Sequence, residues 1–213
     1  MIKPEETVLI LLAAGRSARF GEADKLQQPY LGSPLAFHVV TALEAVPFAR
    51  RLAVTSDTSL DFAARGYDVV RNDEPAEGMS RSVKMGVQAA REDDPKAVLI
   101  ALADMPRVTA AHIYRLLDYA DGDDTILASS DGERPRPPAL FGRNHFDWLL
   151  SLTGDKGARE MIAKAHHMVA VANELIDVDT PEDLSAVEAR LQETRGGAAH
   201  TRGMLRQLAR SRS

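Results

Sequence analysis

The chain has 213 residues, of which 45% are apolar, 27% charged and 5% aromatic, with a net charge of −5 and no cysteine. That length suits one full-sized domain better than two small ones, and it buries enough surface for a core that needs no staples. Without cysteine there is no disulfide, thiolate nucleophile, Cys-ligated zinc or iron–sulfur cluster, and a reducing compartment is the natural home.

The opening MIKPEETVLILLAAG carries one lysine, then acids, then an apolar run of about eight residues. A secretory signal or a membrane span needs a longer apolar stretch, so the sequence predicts a soluble, cytoplasmic protein. TVLILLA (7–13) reads as a buried strand. Ser33 and Pro34 read as the N-cap and first-turn proline of a helix reaching about Val46. RLAVTS (51–56) and YDVV (67–70) are short aliphatic strands, and the spacing of Val83, Met85 to Val87 and Ala90 predicts a helix over Ser80–Arg91. AVLIALAD (97–104) is another buried strand, followed by a helix over Thr109–Ala120 with Ile113, Leu116 and Leu117 on its apolar side.

The pattern then changes. TILASS (125–130) and PALFG (138–142) are strand-like and flank the polar, proline-rich loop DGERPRP, which predicts an antiparallel excursion. Helical pieces follow at about 144–152 and 156–165, then a strand HMVAVA (167–172). A last helix runs from Thr180 to about Glu193, with Thr180, Pro181 and Asp183 resembling a capping box. The predicted architecture is α/β, a three-layer mostly parallel sheet with an antiparallel excursion, in one domain (1–191) with a basic tail (192–213). That tail holds five arginines against one glutamate, which leaves the body near −9. Such a body has no basic face for nucleic acid, and the tail reads most simply as a solvated extension.

Ligands of such sheets bind beyond the carboxyl ends of the strands, so residues there come first. The segment LLAAGRSARFGEADKL follows the first strand but contains neither the dinucleotide nor the Walker glycine pattern. Ala13, Ala14 and Gly15 let backbone N–H groups approach an anion, and Arg16, Arg19 and Lys25 add positive charge; the same loop also reads as an ordinary turn with surface basic residues. Asp104 ends a buried strand, where its hard oxygens suit magnesium, or where it merely closes a turn before proline. Asp177 and Asp179 alternate along an extended segment, so two like charges face one way and call for a cation or solvent, although Asp179 also suits the helix start. Gly78, Ser80 and Ser82 precede or open a helix and suit either a nucleotide or simple capping. LTGDKGARE (152–160) reads as a turn and helix start. The histidines have no metal-binding spacing, and no G-x-S-x-G elbow is present.

Together, LAAGRSARFGEADKL, GMSRSV, LADMP, LTGDKGAR and DVDTPEDL resemble, in family order over about residues 7–191, the molybdenum cofactor cytidylyltransferases and related nucleotidyltransferases. The resemblance implies a Rossmann-like nucleotide-diphospho-sugar transferase fold and Mg2+-dependent transfer of CMP from CTP to the terminal phosphate of molybdopterin cofactor. It assigns Ala13, Ala14, Gly15, Arg16, Ser17, Arg19 and Lys25 to the triphosphate loop, Gly78 and Ser82 to the nucleotide, and Asp104 and Asp179 to the metal, with Asp177 a rival for the last role. Arg19, Lys25 and Asp104 are the implied catalytic residues. LAAG, where guanylyl-transferring relatives typically carry LAGG, favours CTP. The implied partners are CTP, molybdopterin cofactor and a molybdoenzyme that receives the product. One departure is Arg136, which stands between prolines where the family commonly has a glycine on the acceptor side. Another NTP or another phosphorylated acceptor is the alternative reading, ahead of a cofactor carrier with a vestigial site or a nicotinamide enzyme.

Overall fold

A computed structural model of the chain describes residues 1–15, 20–21, 23–154, 162–163, 165–171 and 173–189. β1 (Thr7–Ala13) is buried along its whole length and coincides with the predicted strand. A tight hairpin of β2 (Pro29–Tyr30) and β3 (Ser33–Pro34) leads into α1 (Leu35–Leu43). The expected Ser33 cap is therefore displaced: Ser33 pairs with Tyr30, Pro34 occupies the N-cap position, and no side-chain cap bond forms. Then come β4 (Arg50–Thr55), β5 (Asp68–Arg71), α2 (Met79–Ala90), β6 (Ala97–Leu102) and α3 (Ala110–Tyr119), which the Thr109 hydroxyl caps by accepting from the His112 amide. β7 (Ile126–Ser130), β8 (Pro135–Gly142), α4 (Phe146–Ser151) and β9 (His166–Val169) follow, and residues 181–189 are helical. Most of the predicted 156–165 helix and the tail from 190 onward lie outside the described residues.

The seven-stranded sheet runs β5-β4-β1-β6-β8-β7-β9. All neighbouring pairs are parallel except those made by β8, which is antiparallel to both β6 and β7. Alternation along the strands divides the core into two layers. Leu9 and Leu11 of β1 face Val39, Val40 and Leu43 of α1 and Leu116 of α3, whereas Val8 and Ile10 face Val83 and Val87 of α2 and Leu149 of α4. The architecture is thus three-layered α/β with one reversed strand. In β8 the prediction is corrected: Pro135, Arg136 and Pro137 belong to the strand rather than to a loop. Proline cannot donate to a ladder, and the strand accommodates it with a register shift opposite Ala128 and Ser129.

Two packing details have measurable consequences. A Cβ on Gly86 of α2 would lie 2.5 Å from Ile10 Cγ2 and 3.2 Å from Val54 Cγ2, so this glycine lets α2 settle on β1 and β4. His112 is buried, and its Nε2 lies 2.7 Å from Ser129 Oγ, whose own hydroxyl donates to the Pro138 carbonyl at 2.7 Å. Ser129 must then accept from His112, which leaves the buried Nδ1 as an unprotonated acceptor without a partner among the described residues. Burial lowers the His112 pKa, the Arg115 charge adds to this, and the Glu174 charge opposes it.

Gly86→Ala should lower stability by about 1–2 kcal/mol once the helix-propensity gain of alanine is offset, a fall in Tm of roughly 2–8 °C by calorimetry. Because the folded state disfavours His112 protonation, its contribution is complete above the unfolded value and declines as the pH falls through it. The parent Tm should therefore drop more between about pH 7.5 and about pH 5.5 than that of His112→Gln; equal slopes would show that His112 does not set the acid limb.

Candidate active site

The carboxyl ends of β1, β5 and β6 open on one edge of the sheet, and the loops that leave them line a cleft of about 420 Å3. Beyond β1 the chain continues through Ala14 and Gly15. A Cβ on Gly15 would meet nothing within 4 Å, so packing does not demand glycine here and its absence of side chain simply leaves the cleft open. Beyond β6, the Ala103 amide donates to Leu12 O at 3.0 Å, which holds the two strand ends together and turns Asp104 into the cleft. Asp104 O in turn accepts from the Val178 amide at 3.0 Å. Val178 is fully buried against Tyr30, Leu35 and Val187, so a hydrophobic anchor brings Asp177 and Asp179 into the neighbourhood of Asp104. Asp179 is steadied further by the helix start behind it, where the Asp183 carboxylate accepts from the amides of Asp179 and Thr180 and the Thr180 hydroxyl caps Asp183, the capping box that the sequence predicts.

Lys25 sits in a single 3-10 turn, Lys25–Gln27, whose N-cap Asp24 accepts from the Leu26 amide and from Thr58 Oγ1. With Leu26 buried, the turn aims the ammonium at the acids: Lys25 Nζ lies 2.6 Å from Asp104 Oδ2 and 3.1 Å from Asp179 Oδ1. The Lys25 and Asp104 side chains are only 12% and 18% exposed. Burial alone would lower the Lys25 pKa, but the charges and hydrogen bonds of Asp104 and then Asp179 more than offset it and hold it above its ordinary value. For Asp104 burial prevails and pushes the carboxyl up, against Lys25 and with the added repulsion of Asp177 and Asp179. The asymmetry has a plain cause. One ammonium has two carboxylates, whereas Asp104 shares that cation with Asp179 and also feels the like charge of Asp177.

Of the residues expected from the sequence, Ala13, Ala14, Gly15, Lys25, Gly78, Ser82 and Asp104 line one cleft, and Asp179 reaches it through Lys25. Arg16, Ser17 and Arg19 lie outside the described residues, as does most of LTGDKGARE. Gly78 has φ 93° and ψ 177°, a region that only glycine enters cheaply, and it turns the chain into α2. Ser80 is not the cap, because α2 begins at Met79 with Gly78 in the N-cap position. Asp177 engages a different cation from Asp179, namely Arg136, with Nη1 and Oδ1 3.3 Å apart. The sequence reading misses Asn72, fully buried at the end of β5. Its Nδ2 donates to Ser82 Oγ at 2.9 Å and its Oδ1 accepts from Arg81, so it fixes the first turn of α2 against the cleft. Nothing in its local sequence distinguishes it from a turn residue. Asp24 is missed too, although an aspartate three residues after Gly21 and directly before Lys25 carries the signal of a cap.

A divalent cation fits these residues. Asp104 Oδ1 is buried without a hydrogen-bond partner among the described residues, which is the kind of oxygen a cation would satisfy. Around it, the described side chains place three carboxylates, Asp104, Asp177 and Asp179, against the two cations Lys25 and Arg136. No group of three or more acidic, histidine or cysteine side chains among the described residues is arranged to hold an ion unaided. A cation here would complete its shell from phosphate oxygens and water, as magnesium at nucleotide sites ordinarily does.

This fold, with acids and a lysine gathered at the open ends of parallel strands, is that of an enzyme of the nucleotidyltransferase class. The MobA-like NTP transferase domain matches residues 9–169, and the chain belongs to that family. It is 35% identical over 189 residues to a phosphoenolpyruvate guanylyltransferase of Conexibacter woesei, covering 85% of each chain. It is 23% identical over 192 residues to a molybdenum cofactor guanylyltransferase of Shewanella amazonensis, covering 86% of this chain and 96% of that one. A solved structure of Rv0371c from Mycobacterium tuberculosis in complex with manganese shares the fold with a TM-score of 0.69 at 22% identity, covering 86% of this chain and 98% of that one. Among the described residues, no helix is long and apolar enough to cross a membrane.

Lys25→Met should leave the desolvated Asp104 carboxylate uncompensated and cost on the order of 2–3 kcal/mol at neutral pH, read as a fall in Tm. Adding Asp104→Asn to that variant should recover most of the loss, since the charge left without a partner is then gone; no recovery would mean that Lys25 acts by packing alone.

Proposed function

We propose that this chain transfers CMP from CTP to the terminal phosphate of molybdopterin cofactor and releases pyrophosphate. The observation that carries the reading is the convergence of Lys25, Asp104 and Asp179, at 2.6 and 3.1 Å, beside the Ala13–Ala14–Gly15 turn. Support for CTP comes from Ala14, at the position where guanylyl-transferring relatives typically have glycine. No protein nucleophile is required. An oxygen of the acceptor phosphate attacks the α-phosphorus, the bond to the β-phosphate breaks, and pyrophosphate leaves with the electron pair.

The work of the protein is to bring two anions together and to neutralise the charge that shifts between them. Backbone amides from Ala13 to Gly15 receive the triphosphate, with Arg16, Ser17 and Arg19 assigned to the same loop. Gly78 and Ser82 form the facing wall for the nucleotide. Lys25 supplies a permanent positive charge beside the leaving pyrophosphate, and its hydrogen bonds to both acids keep that charge in position. Asp104 and Asp179 would hold a divalent cation, magnesium in the first instance. When bound, such a cation supplies charge neutralisation at the reacting phosphates. The product would pass to a molybdoenzyme.

A second reading, guanylyl transfer to phosphoenolpyruvate, is favoured by the 35% identity to an enzyme of that name. Pyrophosphate release separates the two when CTP and GTP are each offered with Mg2+ and with either acceptor. Turnover with CTP and molybdopterin cofactor alone supports the first reading, and turnover confined to GTP and phosphoenolpyruvate replaces it with the second. Under either, Asp104→Ala should lower kcat at least ~100-fold, or about 2.7 kcal/mol, and parental turnover by that variant would remove the metal assignment.

A further inference from the structure

A second cleft, of about 490 Å3, adjoins the nucleotide cleft, with Leu12, Met79 and Leu102 lining both. Its walls are mainly apolar, with Val83, Ile100 and Phe141 among them, and its charged groups are Arg134, Arg136 and Asp177. Arg136 is there because of the irregularity in β8. Ala139 pairs with Ala128, but the next pair joins Arg136 to Ser129, so two residues of β8 are taken up between adjacent pairs. An unbroken register would have put Arg136 opposite Asp131, at the far end of the hairpin. The shift draws it inward to the wall of the cleft.

The guanidinium is held on two sides. Nη2 pairs with Asp131 Oδ2 at 2.8 Å, while Nη1 donates to Leu175 O at 3.0 Å and lies 3.3 Å from Asp177 Oδ1. Nε is buried and has no partner among the described residues. A planar fork with a spare donor, fixed at the edge of an apolar cleft and linked through Asp177 to the acid cluster, is built to receive an oxyanion. Asp131 lies on a surface turn, where its carboxylate also accepts from the Glu133 and Arg134 amides, so it keeps partners of its own when the guanidinium turns to a ligand. A cleft of this volume suits a ring-bearing molecule, of which a three-carbon acid would occupy only a small part.

We propose that Arg136 determines acceptor specificity. It pairs with an anionic oxygen of the acceptor, a carboxylate or phosphate, in exchange for Asp131, while the apolar cleft takes the ring-bearing body of that molecule. This rests on the transferase reading and names the class of acceptor for it.

The test uses the full chain and two acceptors, molybdopterin cofactor and phosphoenolpyruvate, with KM measured by pyrophosphate release and binding measured by calorimetry without nucleotide or metal. Arg136→Ala should raise the acceptor KM about 10-fold or more and weaken acceptor binding equally, with the KM for CTP unchanged. Arg136→Lys should recover part of the loss. Asp131→Asn breaks the same ion pair from the other side, and it should leave the acceptor KM unchanged or lower it. If Asp131→Asn raises the acceptor KM as Arg136→Ala does, or if Arg136→Ala moves the KM for CTP and acceptor together, Arg136 is a strut and the proposal falls. Arg136-dependent binding without turnover would overturn the transfer reading and leave this one standing; turnover indifferent to Arg136 would do the reverse. Tighter binding of phosphoenolpyruvate than of molybdopterin cofactor would overturn the ring-bearing class.

Discussion

A single ammonium shared by two carboxylates organises the functional end of this molecule. Lys25 reaches Asp104 and Asp179 from sequence positions 79 and 154 residues away, and each arrives on a different structural support. The lysine comes on a short capped turn, Asp104 at the end of a central strand, and Asp179 on an extended segment pinned by a buried valine. Three supports for three charged groups make the spacing a property of the fold and not of any one loop. The same arrangement costs stability, because Asp104 is desolvated beside other acids, and a cation would relieve that cost.

The reversed strand gives the sheet two working sides. β5, β4, β1 and β6 run parallel, and the loops that leave β1, β5 and β6 line the first cleft, where ligands of such sheets meet the open ends of parallel strands. β8 runs the other way beside β6, so what reaches the same edge there is the start of a strand, with its prolines and Arg136. Asp177 and Asp179 lie on the seam, one held from each side, by Arg136 and by Lys25. The two clefts therefore meet at two carboxylates separated by one residue.

The elements that the sequence reading placed well are those whose pattern is repetitive and local. β1 and α3 follow from an unbroken aliphatic run and from the helical spacing of Ile113, Leu116 and Leu117. Errors arose where a partner distant in sequence overrode a local signal. Ser33 has the chemistry of a cap, yet Tyr30 takes it into a hairpin; Pro135 to Pro137 have the chemistry of a loop, yet neighbouring strands hold them in the sheet. Asn72 gave no sign at all, since its role comes from Ser82 and Arg81 on a helix it faces only after folding.

From the sequence alone came the alternation of strands and helices, the residue types suited to phosphate and cation, and the family to which their order points. Those are properties of neighbours along the chain, where side-chain periodicity and backbone preference act directly. The sequence could not say which acids meet Lys25, that Arg136 turns toward a cleft, or that Asp104 keeps an oxygen without a partner among the described residues. These depend on strand order and on one register shift, and they are set by packing across the sheet, where the energy of a contact bears no relation to its distance along the chain.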